Sequence, residues 1–509
     1  MMTIGALIDS LARDGTAAGR AAVPESVAAT PAAAVAYDSR QVVPGAIFVA
    51  LRGQNDDGVR FAPQAAARGA AVVVAETPAP PGQAGAWVQV ADARLALAVL
   101  AHEFYGKPSH ALRVVGITGT NGKTTTAYLL RSILEAAGER CGMLGTVVYN
   151  VGGQDREATR TTPEAPDVQQ MFREMADNGC RAAVMEVSSH ALALRRVDAM
   201  RFAAGVFTNF TRDHLDFHGD MESYFAAKRR LFDLLDDDAP GIVNLDDPRG
   251  QVLGAVVGRA VTYAIRHDAD VTPEPFDYAM SGLRFTARTP HGKVRVHSAM
   301  VGQPNVYNVL AAIAAAGALS VPVEAIESGI ARLAGVPGRF EVVSAADDDI
   351  AVVVDYAHTD DALKNLLETA RTLSRGRLIT VFGCGGDRDR TKRPLMGAVA
   401  GRLSDVLVVT SDNPRTEDPA AIIDEVLRGT GAGDRGKAAR ARGPEVLAIV
   451  DRRDAVVTAI DLARPGDLVI VAGKGHEKTQ VIGERVLPFD DVAVSHEALT
   501  RRRARQRVG

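Results

Sequence analysis

Residues 114–138, VVGITGTNGKTTTAYLLRSILEAAG, limit what this chain can fold into more than any other stretch. They open with a short apolar run, the pattern of a buried parallel strand. A loop of small residues follows, Thr118-Gly119-Thr120-Asn121-Gly122, and then Lys123-Thr124-Thr125. Leu130, Ile133, Leu134 and Ala137 recur at helical spacing, and Gly138 supplies a C-terminal stop. Strand, glycine loop, lysine–threonine and helix in that order make a phosphate cradle. Unobstructed backbone N–H groups, the positive end of a helix and a lysine converge on one anion. A hydroxyl directly after the lysine is the natural Mg²⁺ ligand, so Thr124 is the candidate metal residue. The spacing G-x-x-x-x-G-K-[ST] would need glycine at 117, where this chain has Ile117; its glycines are Gly116, Gly119 and Gly122. The strand–loop–helix context still predicts a nucleoside triphosphate site. The bland alternative is a glycine turn before an ordinary helix, with Lys123 solvated.

A chain of 509 residues exceeds one hydrophobic core and suggests about three domains. Its net charge of −4, from 58 basic and 62 acidic residues, gives no support for a nucleic-acid surface. The basic tail 501–507 reads as a solvated helix end. The N-terminus lacks the basic flank of a signal peptide. The longest strongly apolar segment, 309–321, is shorter than the ~20 residues of a membrane span. Cys141, Cys180 and Cys384 lack metal-ligand spacing and cannot all pair. These features together predict a reduced, cytoplasmic, multidomain protein without membrane insertion.

Short strands alternate with helices along the whole chain, an α/β pattern. Gly106-Lys107-Pro108-Ser109 and Gly335-Val336-Pro337-Gly338 punctuate it, giving expected domains at 1–110, 111–335 and 336–509. In the first, Asp38-Ser39-Arg40 and Gly53-Gln54-Asn55-Asp56-Asp57-Gly58 read, taken alone, as turns. In the second, the apolar run 182–187 contains Glu186, followed by Ser188-Ser189-His190. An acid at the carboxyl end of a core strand beside a phosphate loop is where a second metal ligand belongs, although Glu186 can equally cap the next helix. Thr211 to Gly219 carries His214, His218, Asp213 and Asp216, dense enough to suggest metal chemistry without choosing the ligand. Lys228, on the helix that follows, reads as a solvated surface lysine. Asn305 and Asn308 share a helix face, where amides read a base edge or cap the helix. The third segment has four apolar strands ending in Asp355-Tyr356-Ala357-His358, Gly383 to Arg388, Ser411 to Arg415, and Gly473 to Glu477. Polar and glycine-rich residues at the carboxyl ends of parallel strands mark the ligand crevice of an open sheet.

These residues resemble the Mur ligases, the ATP-dependent amide-bond formers of peptidoglycan precursor synthesis, over nearly the whole chain. The resemblance is carried by Thr118-Gly119-Thr120-Asn121-Gly122-Lys123-Thr124-Thr125, Glu186-Val187-Ser188-Ser189-His190, Asn305 with Asn308, and Asp355-Tyr356-Ala357-His358. The loop form also accounts for the off-pattern glycines. Thr161-Thr162-Pro163-Glu164, Asp387-Arg388-Asp389, Asp412-Asn413-Pro414-Arg415 and Gly473-Lys474-Gly475-His476-Glu477 are similar to the branch that makes the tripeptide precursor.

The resemblance implies a three-domain fold: a small α/β domain for the UDP-sugar, a central P-loop-type parallel sheet for ATP, and a Rossmann-like C-terminal domain for the amino acid. It implies phosphorylation of the D-Glu γ-carboxylate of UDP-MurNAc-L-Ala-D-Glu and attack by an amino acid's amine. Gly119, Thr120, Asn121, Gly122, Lys123, Thr124, Thr125, Asn308, Arg339 and Asp355 would contact ATP. Mg²⁺ would be held by Thr124 and Glu186, with His214 nearby and Lys228 carbamylated by CO₂ as an anionic ligand. Ser39, Gln54, Asn55, Asp56, Thr161, Thr162, Ser188 and Arg196 would hold the nucleotide-sugar-peptide; Leu194 stands where relatives often have glutamine. The Asp412-Asn413-Pro414-Arg415 form implies meso-diaminopimelate, whose second carboxylate suits the Arg415 guanidinium, whereas the ammonium of L-lysine would be repelled. Glu477 and the Gly473 carbonyl would take the distal amine, and Arg388 a carboxylate. The implied enzyme works on small molecules, as a monomer. Rival readings are the lysine-adding form, another amide ligase of the superfamily, and a nucleotide-regulated binding protein without catalysis. An oxidoreductase is disfavoured because no G-x-G-x-x-G follows a strand.

Overall fold

The computed structural model describes residues 2–13, 23–53, 56–82, 85–431 and 444–508. The strand expected at the phosphate loop runs Arg113–Thr118 and lies inside an eight-stranded sheet. The sheet order is Ala260–Tyr263, Gly241–Asn244, Ala204–Phe207, Arg113–Thr118, Ala182–Glu186, Cys141–Leu144, Val148–Val151, Gln154–Glu157. The first six are parallel and the last two close it as antiparallel strands. Strands on both sides of Arg113–Thr118 follow it in sequence, so the chain reverses direction there. The crevice beyond its carboxyl end is a topological switch point.

Val114, Val115 and Ile117 of this strand are fully buried, as a strand covered on both faces requires. Gly116 belongs to that packing and not to the loop. A Cβ there would come within 2.9 Å of Leu231 and Phe202 side-chain carbons. The helix Lys123–Ala136 packs against Gln303–Ala318 and Val323–Arg332. The latter crosses so closely that a Cβ on Gly329 would sit 2.4 Å from Ile133 Cα.

The α/β expectation is borne out, with one correction inside the central segment. Residues 272–298 form an antiparallel unit: Thr272–Pro273, Asp277–Ala279, Gly282–Thr289 and Gly292–Ser298. Val294, Val296 and Ser298 are buried while Lys293, Arg295 and His297 are exposed, the alternation of a sheet with one wet face. Continuing the helix–strand alternation through this stretch overlooked that period-2 signal.

A second sheet takes Glu341–Val342, Ala351–Asp355, Leu468–Ala472, Leu378–Phe382, Val406–Thr410 and Glu445–Ile449 in that order, parallel except for the first pair. The four strands singled out by their polar ends are therefore neighbours, and their ends share one edge. A smaller all-parallel sheet comprises Val35–Ala36, Ile47–Val49, Val72–Ala75 and Ala86–Gln89.

The basic tail is not simply solvated, as its composition suggested. It lies in the helix Asp491–Val508, where Arg502 pairs with both carboxylate oxygens of Asp349 (2.9 and 2.6 Å) and Arg503 with those of Asp348 (2.5 and 2.6 Å). These partners lie about 150 residues away in sequence, so composition could not reveal them. All three cysteines are free and buried. Among the described residues, no helix is long and apolar enough to cross a membrane.

Candidate active site

The phosphate loop is shaped by what touches its glycines. Gly119 has φ +144°, and a Cβ there would lie 1.9 Å from Thr208 Oγ1. Gly122 has φ +86°, and a Cβ would lie 2.4 Å from Asn308 Oδ1. Both positions therefore demand glycine for backbone angle and for space. Asn308 is held in that place because its Nδ2 donates to Asn305 Oδ1 (2.9 Å), while Asn305 Nδ2 donates to the Val301 carbonyl (2.8 Å).

Lys123 Nζ folds back onto the loop, donating to the carbonyls of Gly119 (3.0 Å) and Thr120 (2.8 Å). Loss of water lowers its pKa, opposed by Glu186 and Asp213. Thr124 Oγ1 donates to Glu186 Oε2 (3.0 Å) and accepts from Arg339 Nη2 (3.1 Å). Glu186 is buried at the end of its strand and also takes Thr146 N (2.8 Å) and Thr146 Oγ1 (3.0 Å). Glu186 thus faces the loop and caps no helix. Thr146 went unnoticed in the sequence because nothing in its own neighbourhood marks it.

Lys228 overturns the surface reading made from its local sequence. It is 2 % exposed, its Nζ donates to Gly119 O (2.6 Å), and it lies 4.5 Å from the Tyr224 ring centroid. Burial first, and then the Lys123 charge, push its pKa well down. Lys123 and Lys228 therefore share one carbonyl from two sides. His214 stands at φ +53°, and its ring packs 4.8 Å from His190. Burial keeps it neutral against the pull of Asp213. Among the described residues, no group of three or more His, Cys, Asp or Glu is arranged to hold a metal. A cation here would depend on hydroxyl, carboxylate and phosphate oxygens, which is the habit of Mg²⁺.

A cavity of about 780 Å³ opens over the loop. Thr120 through Thr125, Thr161, Glu186, Ser188, His214, Asn308, Arg339 and Asp355 line it; Gly119 and Lys228 do not. Arg339 and Asp355 reach this cavity from the second sheet. The Asp355 carboxylate accepts Phe340 N and Ala357 N (2.7 Å each), and Arg339 stacks 4.5 Å from the Tyr356 ring centroid. Asn121 Nδ2 reaches Asp361 (3.2 Å), and Arg212 reaches Asp389 (3.0 Å) and the Thr391 hydroxyl. These bonds tie the phosphate loop and the histidine loop to the strand ends of the second sheet.

On the other side, Thr162 Oγ1 donates to the Glu186 carbonyl (2.8 Å) and accepts Ser188 N (3.0 Å). Thr161 pairs with Thr146 through their hydroxyls (3.1 Å), and Arg196 bonds Thr162 O (2.9 Å) and Glu164 (2.7 Å). Thr161, Thr162, Ser188 and Arg196 form one cluster around Glu186. Ser39 is apart from it, bonded to Gln64 (2.7 Å), and Asp56 pairs with Arg60 (2.7 Å). Gln54 and Asn55 lie outside the described residues.

The remaining candidates gather where the second sheet's strands end. Arg415, at φ +52°, donates from Nη1 to Gly386 O (2.6 Å), so its guanidinium lies over the glycine loop beside Arg388. Gly473 approaches Asp412 so closely that a Cβ would be 2.8 Å from its Oδ2. Pro414 backs Gly386, where a Cβ would meet the Pro414 carbonyl at 1.9 Å. Asn413 is turned inward: Oδ1 accepts Lys474 Nζ (3.0 Å) and Val481 N (3.0 Å), and Nδ2 donates to Glu477 Oε2 (2.8 Å). It holds the pocket together from behind.

Models of three Mur ligase segments match this chain: the family's catalytic domain at 32–105, its middle domain at 117–316 and its glutamate ligase domain at 338–475. The chain belongs to the Mur ligase family. It is 48% identical over 474 residues to the UDP-N-acetylmuramoyl-L-alanyl-D-glutamate--2,6-diaminopimelate ligase of Gloeobacter violaceus, covering 93% of this chain and 95% of that one. The enzyme of the same name from Geobacter metallireducens is 48% identical over 471 residues, 89% of this chain and 91% of that one. A solved structure of a ligase so named superimposes with a TM-score of 0.66 at 33% identity, covering 94% of this chain and 96% of that one. As a Mur ligase the protein is an ATP-dependent acid–amino-acid ligase.

Proposed function

We propose that this Mur ligase joins meso-diaminopimelate, through one amine, to the D-Glu γ-carboxyl of UDP-MurNAc-L-Ala-D-Glu. The observation that carries the substrate reading is the pocket at the strand ends. It presents Arg415 and Arg388 together with Asp412 and Glu477, a pair of each sign, to a ligand whose far end bears both a carboxylate and an amine. The names of the relatives support the same substrates. Having one mainly parallel sheet in each of the stretches 1–110, 111–335 and 336–509 supports a division into nucleotide-sugar, ATP and amino-acid domains.

A γ-carboxylate oxygen of D-Glu attacks the γ-phosphorus of ATP, giving an acyl phosphate and ADP. The neutral amine then attacks the acyl carbon, and the tetrahedral adduct collapses to the amide and expels phosphate. Bringing two anions together needs charge neutralisation and in-line placement more than covalent help. The loop N–H groups of Gly119 to Thr125, with Lys123, Asn308, Arg339 and Asp355, bind and orient ATP in this reading. Thr161, Thr162, Ser188 and Arg196 hold the sugar-peptide against Glu186, with Ser39, Gln54, Asn55 and Asp56 at the uridine end.

Thr124 and Glu186, an oxygen pair 3.0 Å apart, suit Mg²⁺, which when bound supplies positive charge to the phosphoryl oxygens. Lys228 suits carbamylation, because burial beside Lys123 favours the neutral amine that captures CO₂ and releases a proton. His214 lines the same cavity.

Phosphate release from ATP in the presence of UDP-MurNAc-L-Ala-D-Glu tests the reading directly. Turnover with meso-diaminopimelate and not with L-lysine is expected; turnover with lysine alone overturns the substrate, and silence with both overturns the reaction. Arg415→Ala should raise the KM for diaminopimelate by about a hundredfold, the cost of losing one member of a hydrogen-bonded charge pair. The KM for ATP should stay within about twofold, since Arg415 does not line the cavity over the phosphate loop. Equal rises in both constants would remove Arg415 from the amino-acid pocket.

A further inference from the structure

Among the described residues, two lysines are almost wholly buried, Lys228 and Lys474. Lys228 is accounted for by the phosphate loop. Lys474 follows Gly473 in the fourth strand-end loop and has no exposed surface. Its Nζ donates to Asn413 Oδ1 (3.0 Å) and Glu477 Oε2 (2.9 Å). Asn413 Nδ2 donates to that same Oε2 (2.8 Å). Glu477 Oε1 takes no hydrogen bond among the described residues, and the side chain keeps 31% of its exposure. Glu477 is thus gripped by one oxygen and free at the other.

Burying an ammonium costs several kcal/mol of desolvation, and a buried ion pair commonly fails to repay this as stability. A lysine kept at such a place is better explained by what it does to the pocket. We infer that Lys474 is a specificity-positioning residue: it aims Glu477 both directly and through Asn413, and its charge tips the pocket toward a ligand with a carboxylate at its far end. The inference rests on the diaminopimelate reading above. Arg415 and Lys474 are balanced by Asp412 and Glu477, so losing Lys474 leaves one negative charge over. Arg388 and Asp387, the other two charges acting on Arg415, are both exposed, screened by water and opposite in sign. Diaminopimelate with its attacking amine neutral carries two carboxylates and one ammonium, a net charge of −1. The same molecule with its distal carboxylate converted to an amide carries none.

The test compares meso-diaminopimelate with its distal monoamide, as substrates or as competing inhibitors, in the parent and in Lys474→Met and Lys474→Gln. Gln keeps a donor and drops the charge, so the comparison survives if Met perturbs folding. The parent should prefer the dicarboxylate, and either variant should shrink that preference by about tenfold with the KM for ATP unchanged. In Lys474→Met/Glu477→Gln the charge balance of the parent returns, so the preference should recover even though both ligands bind less well. A purely structural lysine would weaken both ligands by the same factor and show no recovery, and that result overturns the inference. A parent that accepts neither ligand overturns the substrate reading instead.

Discussion

Replacing Lys228 by alanine is expected to lower turnover by about a thousandfold, the scale of removing one preorganised electrostatic group from a phosphoryl or acyl transfer site. The side chain lies beneath the loop, and among the described residues its only hydrogen bond is to Gly119 O. That carbonyl keeps Lys123 as a second donor, so the loop should hold its shape and nucleotide affinity should change little. The loss should therefore fall on turnover. Added bicarbonate should not restore it, because the carbamate forms on the missing amine. In the parent, ¹³C-labelled CO₂ should give a carbamate resonance that Lys228→Ala lacks. An unchanged rate takes Lys228 out of the mechanism. A lost rate without a carbamate signal in the parent leaves the lysine acting as an amine.

The contrast between Lys228 and Lys123 explains which parts of the site could be read from sequence. Lys123 is embedded in a local strand–loop–helix pattern whose geometry follows from residues a few positions apart. Lys228 gains its role from a carbonyl 109 residues earlier, and nothing on its own helix separates it from a solvated lysine. The same division runs through the rest of the molecule. The parallel strands and their polar ends were legible because apolar runs and glycines are local signals. Thr146, Arg212 and Lys474 were not, since each acts on a partner brought to it by sheet order. The antiparallel unit at 272–298 was legible in principle from its period-2 alternation. Gly116, counted with Gly119 and Gly122 against the motif spacing, proves to be a packing glycine of the strand beside Leu231 and Phe202.

The largest stability effect should come from Asp491→Ala, because it strands a charge that cannot reach water. Arg452 and Asp491 are both fully buried and meet through two hydrogen bonds, Nε to Oδ1 (2.9 Å) and Nη2 to Oδ2 (2.7 Å). Removing one partner of such a pair costs about 3–5 kcal/mol, whereas exchanging both for apolar residues of similar size costs far less. Arg452→Met/Asp491→Leu should therefore be more stable than Asp491→Ala, by denaturant or thermal unfolding. The pair also serves the proposed amino-acid pocket. Arg452 donates to the carbonyls of Ala472 (2.9 Å) and Ser411 (3.4 Å), the residues immediately before Gly473 and Asp412. It bolts two of the four strand ends together from below. The apolar double variant keeps the packing and loses those donors, so it should fold yet bind the amino acid more weakly, with ATP affinity intact. If Asp491→Ala unfolds within about 1 kcal/mol of the parent, the pair is not the clamp that its burial implies.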